Sequence, residues 1–323
     1  MRQLPLDCCF CVNSKIKKVN TLNMMSRAGY VALVGLPNAG KSTLLNGFLD
    51  QTLCIVTPKA QTTWKKVIGI RTSDEVQAIF VDTPGLLRAD NLLHESMVRE
   101  SQEAIREADL VLLAVDGTDP PDKEERLMVK ENLALSKAPL EVLINKIDSA
   151  SPANISRITS WATSELQANP FGVSGLHGDG LEKVWKKIVD TLPESPFLYP
   201  KDDIGSAPVR FFVAEFIRET IFDQYSQEVP YAVHVSIDEF REGQDPIYVK
   251  ANLIVERDSQ KMIVLGKRGR SIKKLGELAR SKIENFLERR IYLDLWVKVL
   301  PNWRRRKKDL ERLGFHLPKA ERK

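Results

Sequence analysis

The hydrophobic residues in the first two thirds of the chain fall into short runs separated by polar and amphipathic stretches. The runs are rich in β-branched residues and too short for buried helices, which is typical of parallel strands covered on both faces. They span residues 30–34, 76–81, 110–115 and 140–144. Helical spacing follows the first run at 43–49 and recurs at 181–192. Strands that alternate with helices predict an α/β domain, with a mostly parallel sheet and helices on both faces.

A different pattern begins after residue 192. Pro193, Pro196, Pro200 and Pro208 interrupt the next sixteen residues, and prolines at this density end a helix and stiffen the chain. Residues 193–208 are therefore predicted to link two domains. Beyond them the pattern predicts a helix, two strands, two helices and a strand, at 209–224, 231–240, 247–255, 262–265, 272–287 and 291–299. This order indicates a second domain of the α+β class.

Charge is divided unequally between these two parts. The chain has 323 residues and a net charge of +5, but residues 261–323 contain 20 Lys and Arg against 7 Asp and Glu. A basic block on an otherwise acidic chain indicates a polyanionic partner for the C-terminal part, with a solvated basic helix as the alternative. No apolar run approaches the ~20 residues of a membrane-spanning helix.

The first 28 residues are excluded from the fold prediction. Five basic residues against the single acid Asp7 resemble an organelle transit peptide. Met24 and Met25 lie just before the first strand, so an over-extended gene start is the alternative. Three of the four cysteines lie here without a second pair to complete a zinc site, and we assign them no metal or redox role. The predicted organisation is a leader at 1–28, an α/β domain at 29–192, the linker, and an α+β domain at 209–323.

The first strand leads directly into a phosphate-binding loop. Residues 35–42, Gly-Leu-Pro-Asn-Ala-Gly-Lys-Ser, match G-x-x-x-x-G-K-[ST] between a strand and a helix. Backbone N–H groups of such a loop point at phosphate oxygens, while Lys41 suits the β- and γ-phosphates and Ser42 suits Mg²⁺. The residues expected around the phosphates are Gly35, Asn38, Ala39, Gly40, Lys41, Ser42 and Thr43.

Two later motifs indicate a guanine nucleotide. The second apolar strand ends at Asp82-Thr-Pro-Gly85, where a carboxylate can hold Mg²⁺ and the Gly85 N–H can meet a γ-phosphate. The fourth strand ends at Asn145-Lys146-Ile-Asp148. An Asp carboxylate accepts two hydrogen bonds from guanine, whereas adenine lacks that donor pair. Lys146 would pack along the base and Asn145 would brace the loops, so the predicted ligands are GTP or GDP with Mg²⁺.

These motifs resemble those of the translation-factor-related small GTPases, and the phosphate loop is similar to that of the Era-like branch. Residues 59–63 resemble its switch I motif, in which a threonine covers Mg²⁺ and the γ-phosphate; Thr63 is favoured and Thr62 is the alternative. Trp64 stands where that family usually has Arg, which puts the contacts of that Arg in doubt. The resemblance also implies a last guanine loop at Ser174, Gly175 and Leu176.

The residue after Gly85 bears on catalysis. Ras-type enzymes have a glutamine there to orient the attacking water, but this chain has Leu86. Catalysis would then depend on Lys41, on Thr63 with Mg²⁺, and on backbone N–H groups such as that of Gly85. We expect slow intrinsic hydrolysis, ~10⁻⁴–10⁻² s⁻¹, that rises with a partner. The alternative is that Leu86 is a core residue without mechanistic meaning.

The basic part contains a second recognisable loop, Gly266-Lys267-Arg268-Gly269. Two glycines let a nucleic-acid backbone approach closely, and the basic side chains neutralise phosphates. With helices on both sides the stretch strongly resembles a type II KH domain. The predicted RNA contacts are Ile263, Gly266, Lys267, Arg268, Gly269, Arg270, Ser271 and Ile272, with Val264 in the apolar floor and residues 303–308 on phosphates.

A GTPase domain followed by a KH domain resembles the Era family over residues 30–315. The resemblance implies a GTP-hydrolysing switch that binds the 3′ end of small-subunit (16S-type) ribosomal RNA and assists assembly of the 30S subunit. It also implies a cytoplasmic protein with some peripheral contact with the inner membrane. We expect a monomer, and an organellar protein if the basic leader at 1–28 is a transit peptide. The alternatives are a GTP-sensing RNA chaperone with little catalysis, and a related GTPase directed to transfer RNA or membranes.

Overall fold

The computed structural model describes residues 26–54, 56–57, 59 and 62–317. Residues 1–25 of the predicted leader, with its three cysteines, lie outside these residues, whereas Arg27 and Ala28, also assigned to the leader, belong to the first strand. No helix within the described residues is long and apolar enough to cross a membrane.

The first domain is built on a six-stranded sheet with the order β2-β3-β1-β4-β5-β6. Its strands are β1 Arg27–Gly35, β2 Val67–Thr72, β3 Val76–Asp82, β4 Leu110–Asp116, β5 Leu140–Asn145 and β6 Phe171–Gly172. All neighbours pair in parallel except β2, which is antiparallel to β3. Helices cover the sheet at α1 Lys41–Leu49, α2 Leu92–Glu107, α3 Lys123–Leu133, α4 Pro152–Glu165 and α5 Leu181–Thr191. The predicted α/β class is confirmed.

Two features of this sheet differ from the sequence pattern. The first strand begins at Arg27 rather than at residue 30, because Arg27 and Ala28 are held by backbone bonds to Glu75 (2.9 Å) and Pro193 (3.2 Å). The edge strand β2 was not predicted. Its apolar residues, Val67, Ile68 and Ile70, are interrupted by Gly69, and its extended form depends on pairing with β3, a contact that local periodicity does not reveal.

The proline-rich segment lies against the edge of this sheet. The Ile70 N–H of β2 donates to the carbonyl of Ile204 (2.7 Å). The side-chain oxygen of Gln77 on β3 accepts the N–H groups of Leu198 (2.8 Å) and Tyr199 (2.9 Å). The segment is therefore hydrogen-bonded along its length, and its limits as a linker stay a prediction.

The second domain has a three-stranded sheet with the order β7-β8-β9, in which β9 is parallel to β8. Its elements are α6 Val209–Gln224, α7 Val229–Ala232, β7 His234–Arg241, β8 Ile247–Val255, α8 Asp258–Leu265, α9 Arg270–Leu287, β9 Ile291–Val299 and α10 Lys307–Arg312. The strand predicted at 231–240 begins only at His234. Pro230 in the first turn of α7 favours one helical turn before it.

Helices α6 and α9 cover one face of the three-stranded sheet. Phe286 of α9 packs between Phe212 and Phe216 of α6, with ring centroids 5.6 Å and 5.1 Å apart. The inner side of α9 buries Leu275 and Ala279. This packing fixes α9 against α6.

An aromatic cluster joins the two domains: Trp64, His234, Trp303 and Phe315. The Trp64 ring lies 6.3 Å from His234, 5.9 Å from Trp303 and 6.3 Å from Phe315, which are favourable separations for aromatic pairs. The position where the family usually has Arg is therefore part of the domain interface in this chain.

The cluster changes the interpretation of the basic tail. Trp303 is fully buried and its Nε1 donates to the carbonyl of Ala232 (3.2 Å). Arg304 pairs with Glu256 at 2.5 Å. The prediction that the whole of 303–308 contacts RNA does not fit this arrangement, because its first two residues hold the domain together; residues 305–308 are exposed.

We predict that His234 makes the fold sensitive to acid. Burial, with help from Lys65 and Arg218, lowers the pKa of His234 to about 3. The unfolded chain takes up a proton near pH 6.5 and the folded chain does not, so folding loses stability as the pH falls below 6.5. The loss at pH 5 should be about 1–2 kcal/mol. His234→Phe keeps an aromatic ring and should reduce that loss, measured by urea unfolding at pH 7.5 and 5.

The exposed His177 provides the control for this experiment. His177→Phe should leave the difference between the two pH values unchanged. An equal loss of stability on acidification in wild type and His234→Phe would contradict the prediction.

Candidate functional site

The predicted nucleotide residues meet at the carboxyl ends of the parallel strands, where loops surround a cavity of ≈ 730 Å³. Those that line the cavity are Asn38, Gly40, Lys41, Ser42, Thr43, Thr62, Thr63, Gly85, Asn145, Lys146, Asp148, Ser174, Gly175 and Leu176. Gly35, Ala39 and Asp82 do not line it and are buried beside it. Sequence reasoning missed Asp116, although its place at the end of β4, beside Asn145 in the register, was a usable signal.

The phosphate loop is tightly folded at Gly40. Its φ is 81°, and a Cβ there would lie 2.2 Å from the side-chain nitrogen of Asn145, so only glycine fits. Helix α1 begins at the next residue, Lys41. The Lys41 ammonium is buried and donates to the carbonyls of Gly35 (3.2 Å) and Leu36 (2.9 Å). Burial lowers the pKa of Lys41 to about 8, while Asp82 opposes that change, so the side chain is mostly cationic at pH 7.

Three oxygen-bearing side chains form a cluster beside the phosphate loop. The Ser42 hydroxyl donates to Asp82 Oδ2 (2.7 Å), and Thr63 Oγ1 lies 3.2 Å from Ser42 Oγ and 3.4 Å from Asp82 Oδ2. Among the described residues, no group pairs with the buried Asp82 Oδ1. Burial raises the pKa of Asp82 to about 6 against the effect of Lys41. Mg²⁺ prefers hard oxygen ligands, and this cluster offers them, with one carboxylate oxygen that makes no hydrogen bond among the described residues.

The cluster distinguishes the two candidate threonines. The hydroxyl of Thr63 belongs to it, as favoured from the sequence. Thr62 instead offers its backbone carbonyl to the guanidinium of Arg218, on helix α6 of the second domain. Arg218 was not among the predicted residues, because nothing in its local sequence marks a contact with a segment over 150 residues away.

The turn after β3 approaches the phosphate loop closely. A Cβ on Gly85 would lie 2.8 Å from the backbone nitrogen of Pro37. The Leu86 N–H donates to the carbonyl of Gly35 (2.9 Å), and the Leu86 side chain is buried in the core. Leu86 therefore packs as a core residue and has no polar atom with which to orient water.

The opposite end of the cavity presents acceptors for a base. Asp148 Oδ1 accepts the hydroxyl of Ser174 (2.6 Å) and Oδ2 accepts that of Ser149 (2.7 Å). These two bonds hold the pKa of Asp148 below its usual value, so the exposed carboxylate is ionised at neutral pH. Asp116 pairs with Lys146 at 2.5 Å.

Asn145 ties three loops together. Its Nδ2 donates to the carbonyl of Ala39 in the phosphate loop (2.9 Å), and its Oδ1 accepts the N–H of Gly175 (2.9 Å). This is the bracing that the sequence predicted. Leu176, in the same last loop, is largely exposed.

The second loop of interest turns sharply between α8 and α9. Gly266 has a φ of 68° and Gly269 one of 73°, and a Cβ on Gly266 would lie 2.5 Å from Cβ of Ser271. Lys267, Arg268 and Arg270 are exposed. Gly266 is thus packed against Ser271, whereas a Cβ on Gly269 would meet no atom within 4 Å, so the turn presents an open backbone position at Gly269 flanked by positive charge.

The apolar surface beside this turn differs in part from the prediction. Ile263 is 48% exposed and Ile272 is half-buried, as an apolar floor requires. Val264 is fully buried and belongs to the core, so its predicted place in the floor is wrong. Met262, which was not predicted, is 66% exposed beside Ile263; its position one turn before the loop was the available signal.

The order of these loops along a parallel sheet, with guanine acceptors at one end, is that of a P-loop GTPase that carries a KH-type domain. A family model described as a 50S ribosome-binding GTPase matches residues 30–146, and a KH domain model matches residues 228–304. The GTPase Era of Carboxydothermus hydrogenoformans is 38% identical over 295 residues, which cover 90% of this chain and 99% of that protein. The chain therefore belongs to the Era family of GTPases.

Other relatives support this placement. GTPase Era of Ectopseudomonas mendocina is 38% identical, with 90% of this chain and 98% of that protein covered. A crystal structure of an Aquifex aeolicus Era variant bound to GDP.AlF4- has a TM-score of 0.85 at 35% identity. Era in complex with MgGDPNP and nucleotides 1506–1542 of 16S ribosomal RNA has a TM-score of 0.86 at 36% identity. Both structures cover 90% of this chain and are themselves covered completely.

Family membership decides between the functional classes left open by the sequence. The chain is an enzyme that hydrolyses GTP, rather than a protein that only senses it. The relatives match across the KH domain as well, which argues against a transfer-RNA- or membrane-directed relative.

Proposed function

We propose that this GTPase binds the 3′ end of small-subunit ribosomal RNA through its KH turn and assists assembly of the 30S subunit. The observation that carries the proposal is the exposed, basic turn at 266–269, set beside the apolar side chains of Met262 and Ile263. The solved complex of an Era protein with 16S ribosomal RNA nucleotides supports it, since that protein shares this fold over 90% of the chain.

In this proposal the nucleotide residues divide into two groups. Ser42, Thr63 and Asp82 hold Mg²⁺, which when bound neutralises phosphate charge. The backbone of 35–43 surrounds the phosphates, and Lys41 and the Gly85 N–H stabilise charge that develops on the phosphoryl oxygens. Asp148 accepts from guanine, Lys146 packs along it, and Asn145 and residues 174–176 close the base end.

Hydrolysis should be slow in the free protein. Leu86 is buried and cannot orient water, so no side chain at that position assists the attack. The intrinsic rate should lie at ~10⁻⁴–10⁻² s⁻¹, and bound RNA is the proposed activator.

On the RNA side, Gly266 and Gly269 admit the backbone, and Lys267, Arg268 and Arg270 neutralise phosphates. Met262, Ile263 and Ile272 offer an apolar surface on which unstacked bases can lie.

The test measures RNA affinity as a function of salt. A double change, Lys267→Ala with Arg268→Ala, should weaken binding of an oligonucleotide with the sequence of the 16S ribosomal RNA 3′ end. Because each lost phosphate contact on single-stranded nucleic acid removes ~0.7 from the slope of log K against log salt, that slope should fall by about 1.4. Fluorescence anisotropy between 50 and 300 mM KCl reports both quantities.

The matched control removes two exposed lysines of α5, Lys183 and Lys186, for the same change in net charge. It should leave the slope unchanged. Equal losses in the two double variants would mean that binding follows overall charge and would reject the KH turn as the RNA site.

An assembly role also bears on location. The protein has to meet the small subunit where that subunit is made, so we infer a cytoplasmic location, or an organellar one if residues 1–28 form a transit peptide. Peripheral contact with the inner membrane and a monomeric state stay predictions.

A further inference from the structure

Helix α6 of the KH domain holds the switch I segment, which here comprises residues 56–57, 59 and 62–64. The Val56 N–H donates to Glu219 (3.4 Å). The Lys59 ammonium donates to the carbonyls of Phe222 and Tyr225, and Arg218 donates to the carbonyl of Thr62. The segment that carries Thr63 is therefore attached to the KH domain at three points.

The contact made by Lys59 has a clear physical origin. The last carbonyls of a helix have no partner within the helix and carry partial negative charge, so they attract cations. The last turn of α6 contains no basic residue of its own. Lys59 supplies that missing charge from the GTPase domain.

The same end of α6 holds the KH turn. The Tyr225 hydroxyl donates to the carbonyl of Val264 (2.9 Å) and lies 2.9 Å from the Ser271 hydroxyl. Gln224 donates to the carbonyl (2.8 Å) and the hydroxyl (3.0 Å) of Ser271. Val264 is on α8 and Ser271 on α9, so Tyr225 touches both helices that the turn connects.

Tyr225 thus belongs to two contacts at once. Its side chain, which is only 7% exposed, lies between α8 and α9, while its carbonyl accepts from Lys59. Lys59 is three residues before Thr62. One buried residue therefore lies between the proposed RNA loop and the segment that positions Thr63.

We propose that Tyr225 and Lys59 are positioning residues through which RNA at the KH turn sets switch I for GTP hydrolysis. This inference rests on the proposed function. RNA bound at Gly266 and Gly269 fixes helix α8 relative to helix α9, and Tyr225 is hydrogen-bonded to both helices. Through these bonds Tyr225 holds the end of α6 in place. The end of α6 then holds Lys59, and switch I keeps the Thr63 hydroxyl beside Ser42.

The coupling has to be reciprocal. If RNA favours the switch I arrangement that hydrolyses GTP, a nucleotide that favours the same arrangement must raise RNA affinity, and RNA must raise the affinity for that nucleotide by the same factor. Measured couplings between sites are typically about 5- to 150-fold, which sets the scale of the effect to be lost.

Tyr225→Phe is the decisive variant, because it keeps the ring and the carbonyl and removes only the hydroxyl bonds. The measurement is single-turnover GTP hydrolysis by the full chain, with and without the 16S ribosomal RNA 3′-end oligonucleotide. We expect the basal rate and the RNA Kd with GDP to change less than about twofold, while stimulation by RNA falls at least about fivefold. The ratio of RNA affinities with a GTP analogue and with GDP should fall as well, because the same contacts carry the coupling in both directions.

Changes at Lys59 supply the second half of the test. Lys59→Ala should lose stimulation to a similar extent, and adding Tyr225→Phe should cost nothing further, because both act in one chain of contacts. Lys59→Arg can donate to the same carbonyls and should keep most of the stimulation. Tyr248→Phe is the control, since the Tyr248 hydroxyl donates to Asp294 on the neighbouring strand β9 and makes no hydrogen bond to α8 or α9 among the described residues.

The outcomes separate the two proposals. If wild type does not bind the oligonucleotide, the proposed function fails and this inference falls with it. If wild type is stimulated and Tyr225→Phe is stimulated equally, the inference alone is wrong. A parallel fall of RNA affinity and stimulation in Tyr225→Phe would also overturn it, because the residue would then merely support the fold of the KH turn.

Discussion

Asp148→Asn is expected to lower GTP affinity by about 10²–10³-fold and to shift the preference toward xanthosine triphosphate. The carboxylate accepts two hydrogen bonds from guanine, and bonds to a charged group contribute about 1.5–3 kcal/mol each. The asparagine amide keeps one acceptor oxygen and gains an NH₂ group. That NH₂ group can donate a hydrogen bond to the C2 carbonyl of xanthine. Competition against a fluorescent guanine nucleotide gives both affinities.

Two outcomes would have different meanings. Loss of GTP affinity together with a gain for xanthosine triphosphate identifies Asp148 as the residue that reads the base. Loss without any gain would mean that Asp148 acts mainly through Ser174 and Ser149, by holding the last loop. Asp190→Asn, on an exposed face of α5, is the control and should change neither affinity.

Lys41→Ala is expected to reduce RNA-stimulated GTP hydrolysis by about 10²–10³-fold, the usual effect of removing one group that stabilises transition-state charge. The buried ammonium lies beside the phosphate loop, where low polarity strengthens its effect. Rapid-quench single turnover at saturating GTP separates this loss from weaker binding.

The same variant also leaves the carbonyls of Gly35 and Leu36 without their donor, so its folding has to be checked by thermal unfolding. A folded variant that binds GTP and hydrolyses it within twofold of wild type would reject a catalytic part for Lys41.

The nucleotide cavity was largely predictable because its parts are local motifs at strand ends. Parallel strands bring their carboxyl ends to one edge of a sheet, so Gly40, Asp82 and Asn145 had to meet there once the strands were recognised. Each motif is also short, and its chemistry depends on a few adjacent residues. The same holds for Gly266 and Gly269, whose motif is recognisable from adjacent residues even though Tyr225 and Gln224 also bond to the helices beside it.

The domain interface was not predictable in this way. Trp303 begins a run of basic residues that is typical of a surface. Its burial follows from contact with Trp64, which comes from a distant part of the chain, and with Phe315, which lies just after helix α10. The contacts of Arg218 and Lys59 likewise form only because α6 packs beside switch I. No periodicity within a single element encodes such contacts, because the partners lie hundreds of residues apart or in another domain.

The proline-rich segment has a consequence for the solubility of the molecule. Strand β2 lies at the edge of the six-stranded sheet, and an open edge offers unpaired backbone groups to other chains. Gly205 forms a β-bridge with Gly69 of β2, and the Ile204 carbonyl accepts the N–H of Ile70, the next residue of that strand. A chain cut after Leu192 would therefore lose more than its KH domain: it would expose a strand edge that the intact protein keeps covered, and with it a template for aggregation.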